Sequence, residues 1–453
     1  MFEPGTYRIA ADLLRVRSRS DKVFRTLSWG DRLKVTGADA AGLNVDVDGP
    51  ARVKAPPASA LVKEADARSP QVLKVDFVDV QQGDATVLET ADGATMLVDG
   101  GENLLFARYL AGRFRGTTSA APKPIDCIVV SHGDADHFAG LTRIFGTESE
   151  ARKQLFLAPE RIFHNGIVRR AAEPKLGATV KVGRRRVLTE LHDDVRTLPT
   201  ADLSDGFAEW QAAVNAWSAR RPTFQMRRVQ RGDHAQFDFL RSRGVDVQVL
   251  GPVTMDANGG PGLPWLTDEG KTINGHSVVL LVRFGNVRFL LAGDLNTAAE
   301  KTLVADHEAG TIDLRADVLK VPHHGSADYL PEFLERVAPG VSVVSSGDER
   351  EHIHPRATLL AALGRHARPS LAEPVMFITE LAAFFKSVGQ ADTDGDRPIW
   401  AFERSAFGIV RCRTDGQRLL VYTDTGVKTK NEAYAFTVAA DGTMAEDKVS
   451  VVP

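Results

Sequence analysis

Imidazoles and carboxylates are concentrated in the stretch SHGDADHFAG, residues 131–140. His132, Asp134, Asp136 and His137 fall within six residues, directly after the hydrophobic run PIDCIVV. Alternate residues of an extended loop point the same way, so the first three can converge, and His137 joins them where a helix begins. Imidazole and carboxylate ligands together suit divalent transition metals. The spacing therefore predicts a metal site, with a polar surface turn as the alternative interpretation.

The carboxylate at Asp134 bears on which metal such a site would prefer. A carboxylate in place of an imidazole makes the ligand set harder and more anionic, which favours manganese. Zinc accepts nitrogen and oxygen ligands alike, so it stays possible. The motif is thus compatible with Zn²⁺ or Mn²⁺.

Three further clusters follow apolar runs later in the chain. Asp294 lies in LLAGDL, His323 and His324 lie in VLKVPHHGS, and His352 and His354 lie in HIHPR. A carboxylate at a strand end can bridge two metals, and paired histidines there are unusual because core histidines mostly occur singly. A simple turn at Asp294, and helix capping or packing by the last two histidines, are the alternatives.

The elements that would position these residues can be predicted from the hydrophobic pattern. Residues 1–67 hold short strands separated by turns, which is typical of a small β-barrel. From residue 72 to about 150, strands alternate with helical segments, which indicates a layered α/β sandwich. Residues 150–244 interrupt this pattern and are interpreted as an insertion, and strands return from Val245.

Length and composition exclude several classes of protein. A chain of 453 residues with 43% hydrophobic and 25% charged residues is typical of soluble globular proteins, here of two or three domains. The net charge of -3 favours neither an acidic nor a basic partner for the chain as a whole. Cys127 and Cys412 cannot form a disulfide framework. Without an apolar run of ~18 residues or a secretory signal pattern, we expect a reduced, cytoplasmic protein with no membrane partner.

The order and spacing of the motifs resemble the metallo-β-lactamase superfamily, and within it the nuclease-like domain of ComEC-type DNA-uptake proteins. The resemblance is carried by DFVDVQQGDA (76–85), MLVDGG (96–101), SHGDADHFAGL (131–141), HSVVLLVRFGNVRFLLAGDL (276–295), LKVPHHGS (319–326) and HIHP (352–355). The N-terminal end is loosely similar to a bacterial SH3-like module, through a "VRS" strand followed by GDRLKV.

The resemblance implies an α/β fold: a four-layer αββα sandwich preceded by a small all-β SH3-like barrel. The expected domains are residues 1–67 for the barrel, 68–430 for the sandwich with its insertion at about 150–244, and 431–453 for a C-terminal extension. The polytopic membrane segment of the ComEC-type proteins has no counterpart in this sequence, so we do not expect DNA uptake itself.

The resemblance also implies a two-metal hydrolase. We expect His132 and Asp134 to bind one divalent ion, Asp136 and His137 to bind the other, and Asp294 to bridge them. His323 or His324 would complete the ligands, but adjacent side chains do not easily both point inward. Candidates for a further ligand in the gap before Asp294 are His164, His192, His234 and His276, and of these His276 is the best because it opens a strand.

The remaining predicted residues surround the metals. Asp99 in LVDGG would orient a ligand histidine or form a turn, and Asp84, with Asp79 and Gln82, would shape a loop below the site. Lys320 could steer a phosphate, although a solvated lysine is an equal alternative. Catalytic roles are assigned to Asp136, His324 and His354, with His354 or His352 protonating the leaving oxygen or contacting substrate.

A basic stretch indicates the substrate. Between Arg161 and Arg186, eight basic residues accompany a single acidic residue, Glu173. Further arginines continue to Arg231, interleaved with Trp210, Trp217 and Phe224. Clustered cations attract polyanions, and aromatic residues among them can stack on bases. The region 161–231 thus predicts a nucleic acid or nucleotide partner, with a solvated helix face and core aromatics as the alternative.

We therefore expect phosphodiester cleavage by a metal-bridged hydroxide. The first alternative is hydrolysis of a non-phosphate ester, lactone or amide, for which the substrate pocket should be apolar. The second is an effector whose residues 1–67 bind a protein partner, with catalysis secondary.

Overall fold

The computed structural model describes residues 2–18, 20–47, 49–150, 154–347, 354–381, 392–394, 397–399, 405–406, 408–424 and 432–453. Two central sheets lie face to face, each covered by helices on its outer side. Among the described residues, no helix is both long and apolar enough to cross a membrane.

The first central sheet has ten strands. Their order across the sheet is Gln225–Arg228, Arg161–His164, Cys127–Val130, Thr95–Val98, Thr86–Glu89, Leu73–Phe77, Ile409–Thr414, Arg418–Asp424, Ala433–Val438 and Met444–Asp447. The first four strands of this order are mutually parallel, and the remaining pairs are antiparallel. Parallel neighbours bring their carboxyl ends to one edge, so the residues that follow them come together there.

The second central sheet has six strands. Their order is Val245–Gly251, Val279–Phe284, Val287–Leu291, Val318–Lys320, Val341–Val344 and Val375–Ile378. The last four strands are mutually parallel, again with their carboxyl ends at one edge. The strand ends that carry Asp294, His323 and His324 are therefore neighbours.

One apolar cluster fills the space between the two sheets. It joins residues such as Val75 and Val129 of the first sheet to Leu280, Phe289 and Val318 of the second, all of them buried. Alternate residues of each strand point inward, so both sheets contribute a face to this core.

Helices cover the outer faces of both sheets through two further apolar clusters. Over the first sheet lie Leu105–Arg113, Ala135–Gly146 and Asp205–Ser218; over the second lie Thr297–Glu308, Pro331–Val337 and Ala357–Arg365. The layers are thus helix, sheet, sheet and helix, and the expected α/β sandwich is confirmed. Two short helices, Asp238–Arg241 and Glu269–Gly275, lie in the connections.

The N-terminal sheet has its own apolar core, which includes Ile9, Leu14 and Val35. Its strands are Gly5–Ile9, Leu13–Arg17, Val23–Ser28, Arg32–Asp39, Gly42–Asp46, Pro50–Val53, Leu61–Lys63 and Val451–Val452. The last of these comes from the far end of the chain and pairs in parallel with Leu13 and Leu14. The N-terminal all-β unit is thus present, while its likeness to SH3-like modules stays a prediction.

The region predicted as an insertion is divided between the sandwich and a separate small sheet. Arg161–His164 and Gln225–Arg228 are strands of the first central sheet, and Leu157–Pro159 pairs with Lys123–Ile125. The separate sheet consists of Thr179–Val182, Arg185–Leu188, Pro261–Pro264 and Met255–Asp256. Two short strand pairs join Glu380–Leu381 to Ser405–Ala406 and Asp392–Asp394 to Arg397–Ile399.

Candidate metal centre

The carboxyl ends of both central sheets meet at one edge of the sandwich, and most of the predicted site residues gather there. His132 follows the strand Cys127–Val130, Asp294 follows Val287–Leu291, and His324 follows Val318–Lys320. All three side chains are buried. The strand topology therefore brings together residues that lie far apart in the sequence.

His137 lies at the centre of this group. Its Nε2 is 3.2 Å from Oδ1 of Asp294 and 3.8 Å from Oδ1 of Asp136, and its ring centroid is 4.0 Å from that of His132. His132, His137 and Asp294 each offer one ligand atom within 4.8 Å of the others. These distances are short enough for the three side chains to share an ion.

His324 forms the other half of the site. Its Nε2 is 3.3 Å from Oδ2 of Asp136 and 3.2 Å from Oδ2 of Asp294. Asp294 thus faces His137 with one oxygen and His324 with the other. A carboxylate in this position contacts both halves of the cluster, as expected of a bridging residue.

The chemistry of these donors fits a divalent metal. Nε2 of His132, His137 and His324 and Oδ1 of Asp294 are buried without a hydrogen-bond partner. Buried polar atoms are nearly always hydrogen-bonded, so four such atoms facing one another need another kind of partner. Imidazole nitrogens and carboxylate oxygens are ligands of divalent transition metals. The cluster therefore has the donor set of a metal site.

The opposite ring nitrogens are held by the protein. Oδ2 of Asp99 lies 2.9 Å from Nδ1 of His137, and Oδ1 of Asp99 accepts a hydrogen bond of 2.7 Å from the Ser131 backbone N–H. Oγ of Ser131 lies 3.0 Å from Nδ1 of His132. These contacts fix both rings with Nε2 turned toward the cluster, which is how metal-binding histidines are usually oriented.

Nδ1 of His324 is held by the carbonyl oxygen of Ser345 at 3.1 Å, and beside the same nitrogen lies the buried carboxylate of Asp84. Its Oδ1 is 3.3 Å from Nδ1 of His324, and its Oδ2 contacts Nζ of Lys320. Lys320 is only 3% exposed, and its ammonium group forms an ion pair with the Asp84 carboxylate. Lys320 therefore lies behind the site against Asp84, and it is not the solvated lysine of the alternative interpretation.

The two adjacent histidines, His323 and His324, differ in burial and in the direction of their side chains. His323 and His324 have φ values of +49° and +52°, in the left-handed region, within the turn Pro322–Gly325. His324 points into the cluster, whereas the side chain of His323 is 25% exposed, with Nε2 3.9 Å from Oδ2 of Asp294. The ring of His323 lies 5.8 Å from that of His354. His323 and His354 thus lie together at the outer side of the site, and His352 lies outside the described residues.

Asp134 lies to one side of the cluster. Its Oδ1 accepts a hydrogen bond of 2.9 Å from Nη2 of Arg169, and its Oδ2 is 3.9 Å from Nε2 of His132. The sequence did not predict this contact. Arg169 is 35 residues from Asp134, in the basic stretch that was interpreted as a substrate-binding region. Arg169 therefore holds Asp134, which together with His323 is one of the two predicted ligands outside the close groups of donors.

The four histidines considered as a further ligand, which lie between the motif 131–140 and Asp294, contact other groups of the protein. Nε2 of His276 lies 2.7 Å from the carbonyl oxygen of Pro264, and burial lowers its pKa to about 4. Nε2 of His164 lies 3.0 Å from the carbonyl oxygen of Asp193, and Nδ1 of His234 accepts a hydrogen bond from the Val249 backbone. His192 contacts Glu190. His276 is thus buried, and its Nε2 is taken by a backbone carbonyl and is not available to a metal.

The protonation preferences follow from burial and neighbouring charges. Burial and the adjacent imidazole of His137 lower the pKa of His132 to about 3, so His132 is neutral at physiological pH. Burial opposes protonation of His137, but the carboxylates of Asp294 and Asp99 raise its pKa above the usual range. Burial alone would raise the pKa of Asp294, yet the imidazoles of His324 and His137 bring it well below the usual range. Asp294 is therefore a carboxylate at neutral pH.

Two glycines let the loops approach one another closely. A Cβ atom on Gly83 would lie 1.8 Å from the carbonyl oxygen of Asp136, and one on Gly140 would lie 2.0 Å from that of Gly100. Gln82, next to Gly83, donates a hydrogen bond of 2.9 Å to Oδ2 of Asp136. The QQGDA and DGG motifs thus pack closely against the motif 131–140. Gly83 and Gly140 are the signal in the sequence that could have indicated this close approach.

Ser277 is a site residue that the sequence did not reveal. Its Oγ accepts a hydrogen bond of 3.0 Å from the Asp294 backbone N–H and lies 3.4 Å from Nδ1 of His132. It lies in the motif 276–295, next to His276, but it is 145 residues from His132. Only the packing of the two sheets brings it there.

The basic stretch is partly neutralised in the structure. Arginines with acidic partners are Arg170 with Glu190, Arg220 with Glu148, Arg228 with Asp193 and Arg231 with Asp306. Trp210 and Trp217 are 3% and 0% exposed and belong to the core over the first sheet. These two aromatics do not present a face for stacking on bases, as the alternative interpretation anticipated.

Comparison with known proteins agrees with this geometry. Residues 78–149 match the family model of the Metallo-beta-lactamase superfamily. "ComE operon protein 3" of Bacillus subtilis (strain 168) is 28% identical over 151 residues, which are 33% of this chain and 17% of that protein. "Competence protein ComA" of Neisseria gonorrhoeae is 39% identical over 90 residues, which are 19% of this chain and 13% of that protein.

The chain thus spans less than a fifth of the length of these relatives. A solved structure from Parabacteroides distasonis ATCC 8503, assigned as a metal-dependent hydrolase, is 12% identical with a TM-score of 0.32, covering 68% of this chain and 92% of that one. That score is too low to support an argument about fold. The segment that carries His132, Asp136 and His137 matches the metallo-beta-lactamase superfamily, and the two-sheet architecture around it is consistent with the fold of that superfamily.

Proposed function

We propose that this protein is a dimetal hydrolase that cleaves phosphodiester bonds in a nucleic acid or a nucleotide. The observation that carries the proposal is the set of buried, unpartnered Nε2 atoms of His132, His137 and His324 around Asp294. His132 and His137 would hold one Zn²⁺ or Mn²⁺ ion, Asp136 and His324 would hold the other, and Asp294 would serve both. When bound, such ions supply Lewis acidity that activates water and neutralises charge on a phosphate oxygen.

The protein's own residues prepare the site for this chemistry. Asp99 and Ser131 hold the rings of His137 and His132, and Gln82 orients Asp136. Because these side chains are already fixed, they do not need to reorganise when charge develops in the transition state. Such preorganisation is the main source of electrostatic catalysis. His354, beside His323 at the outer side of the cluster, would protonate the leaving oxygen.

Arg169 favours a phosphate substrate over a neutral ester. Its side chain is 40% exposed while one of its N–H groups binds Asp134. A guanidinium has five N–H donors in a fixed fork, so Arg169 retains donors for a phosphate oxygen beside the metal ligands. The exposed Lys181, Arg184 and Arg185 add positive charge in the same region of the chain. Affinity for a polyanion should therefore fall as salt rises.

The test uses the purified full chain with single- and double-stranded DNA, RNA and small cyclic nucleotides, in Mn²⁺ or Zn²⁺. We expect cleavage of at least one of these substrates, its loss on chelation, and its return when metal is restored. Asp136→Asn should abolish cleavage, whereas Asp441→Asn, in a remote exposed turn, should not. Absence of cleavage by the wild type, or equal cleavage by Asp136→Asn, would refute the proposal.

A further inference from the structure

A second concave site lies outside the metal cluster, on the outer side of the second sheet. It has a volume of about 590 Å³ and lies between the helix Thr297–Glu308 and the small sheet that contains Arg185–Leu188. Pockets of roughly 300–1,000 Å³ commonly bind small organic ligands. Its size is therefore that of a ligand site.

The floor and the rim of this pocket differ in character. The floor includes Val253, Met255, Leu295 and Leu303, which are apolar. The rim carries the arginines Arg184–Arg186, and none of the residues that line the pocket is acidic. A ligand that matches both parts has an apolar body and an anionic group.

The rim arginines differ from the rest of the basic stretch. Arg184 and Arg185 are exposed, and no described acidic residue forms an ion pair with either, in contrast to Arg170 and Arg228. The guanidinium of Arg186 lies 3.6 Å from the ring centroid of Trp265, also a lining residue. Two arginines thus remain available for an anion beside an aromatic and aliphatic surface.

The pocket is adjacent to the metal cluster. Ser277 lines the pocket, and its Oγ also contacts the Asp294 backbone and Nδ1 of His132. Asn274, in the helix Glu269–Gly275 that borders the pocket, has Nδ2 3.5 Å from Nε2 of His323. One layer of residues therefore separates a bound ligand from the site of hydrolysis.

We propose that this pocket binds a nucleotide unit of the substrate that is not itself cleaved and that lies one or more units away from the scissile phosphodiester. The base lies on the apolar floor, and Arg184 and Arg185 bind the phosphate of that unit by charge-assisted hydrogen bonds. This inference rests on the proposed phosphodiesterase function and adds a substrate subsite to it.

The binding test uses full-length Asp136→Asn protein without added metal, so that phosphate bound at the metal cluster does not contribute to the signal. Nucleoside 5′-monophosphates are titrated by calorimetry and by tryptophan fluorescence, since Trp265 lines the pocket. Arg184→Ala with Arg185→Ala should weaken binding about tenfold or more, because each lost arginine removes a charge-assisted bond. Ala298→Trp, at an exposed lining position, should fill the pocket and weaken binding similarly.

The control removes the same charge elsewhere in the basic stretch. Arg221→Ala with Arg227→Ala should leave nucleotide affinity unchanged at constant salt. Inorganic phosphate and the unphosphorylated nucleoside should each bind more weakly than the monophosphate. Equal affinity of wild type and the Arg184/Arg185 variant, or inorganic phosphate binding as tightly as the nucleotide, would overturn the inference.

A kinetic test separates this inference from the proposed function. With the wild-type Asp136 restored, the Arg184/Arg185 variant should raise KM for a short oligonucleotide about tenfold and change kcat little. If the wild type cleaves but neither KM nor nucleotide affinity depends on the pocket, the subsite is refuted and the proposed function stands. If nucleotides bind at the pocket but no phosphodiester is cleaved, the binding site stands and the proposed function fails.

Discussion

Asp99 and His137 form a hydrogen-bonded pair in which Oδ2 of the carboxylate lies 2.9 Å from Nδ1 of the imidazole. The other oxygen of Asp99 is held by the Ser131 backbone, so the carboxylate cannot rotate away. The pair leaves only Nε2 of His137 facing Asp294. Metal affinity should therefore depend on a residue that does not contact the metal.

Asp99→Asn tests this dependence. Asp99 has φ +58°, which asparagine tolerates better than most residues, so the turn should persist. Loss of the negative charge should weaken Mn²⁺ or Zn²⁺ binding by about tenfold to a hundredfold, measured by titration against a chelator. Asp126→Asn, which removes a carboxylate at the opposite edge of the same sheet, serves as control. Unchanged metal affinity in Asp99→Asn would contradict the prediction.

Gly83→Ala should damage both stability and the site. The new Cβ would lie 1.8 Å from the carbonyl oxygen of Asp136, so the ligand loop must move. Gly93→Ala is a matched control, because Gly93 has a similar φ of +94° but no atom within 4 Å of the added Cβ. Both variants should lose about 1 kcal/mol or more from the positive φ, and Gly83→Ala should lose roughly 2 kcal/mol beyond that. Urea unfolding measures the difference, and equal losses would show that the contact is unimportant.

Lys320→Met should leave Asp84 as a buried carboxylate without its cation. Removing one member of a buried ion pair costs about 3–5 kcal/mol, which denaturant unfolding would detect. Adding Asp84→Asn to Lys320→Met should recover part of that loss, because the uncompensated charge is gone. Lys271→Met removes an exposed lysine and should have little effect. If the double variant is no more stable than Lys320→Met, the pairing argument fails.

Glu300 should make stability depend on pH. The residue is fully buried in the helix Thr297–Glu308, and burial raises its pKa well above the usual range. The folded state therefore holds this proton more tightly than the unfolded state does. The resulting contribution to the free energy of unfolding is fully present at low pH and is lost as pH rises toward the raised pKa. Between the unfolded and folded pKa values, wild type should lose about 1.4 kcal/mol per pH unit relative to Glu300→Gln.

The measurement compares urea unfolding of both proteins from pH 5 to pH 8. Glutamine keeps an acceptor for the Leu330 backbone N–H, which Oε2 of Glu300 binds at 2.5 Å. Glu308→Gln changes an exposed glutamate on the same helix and should show no such trend. Parallel pH profiles for wild type and Glu300→Gln would rule out the effect.

The sequence was most informative where function requires a local arrangement. The stretch 131–140 places its donors at the end of one strand, and parallel strands bring Asp294 and His324 to the same edge. Hydrophobic periodicity also predicted the layered architecture, because each strand must bury one or both faces.

Other features depend on packing that no local pattern encodes. Two adjacent histidines look equivalent in sequence, and both have left-handed φ values, but only His324 is buried in the cluster. Lys320 is the last residue of the strand Val318–Lys320, where the sequence allows it to face solvent, yet it lies beneath the site against Asp84. The contacts of Arg169 with Asp134 and of Ser277 with His132 join distant segments. These pairings could not be read from spacing alone.

The pairing of Val451–Val452 with Leu13 and Leu14 has a consequence for biosynthesis. Asp12 adds to this junction, since it contacts Arg418 and binds Ser450. During synthesis Leu13 and Leu14 emerge before Val451 and Val452, so this pairing forms only after the intervening sandwich has been translated. A nascent chain that stalls short of Val451 therefore exposes an unpaired strand edge at Leu13 and Leu14.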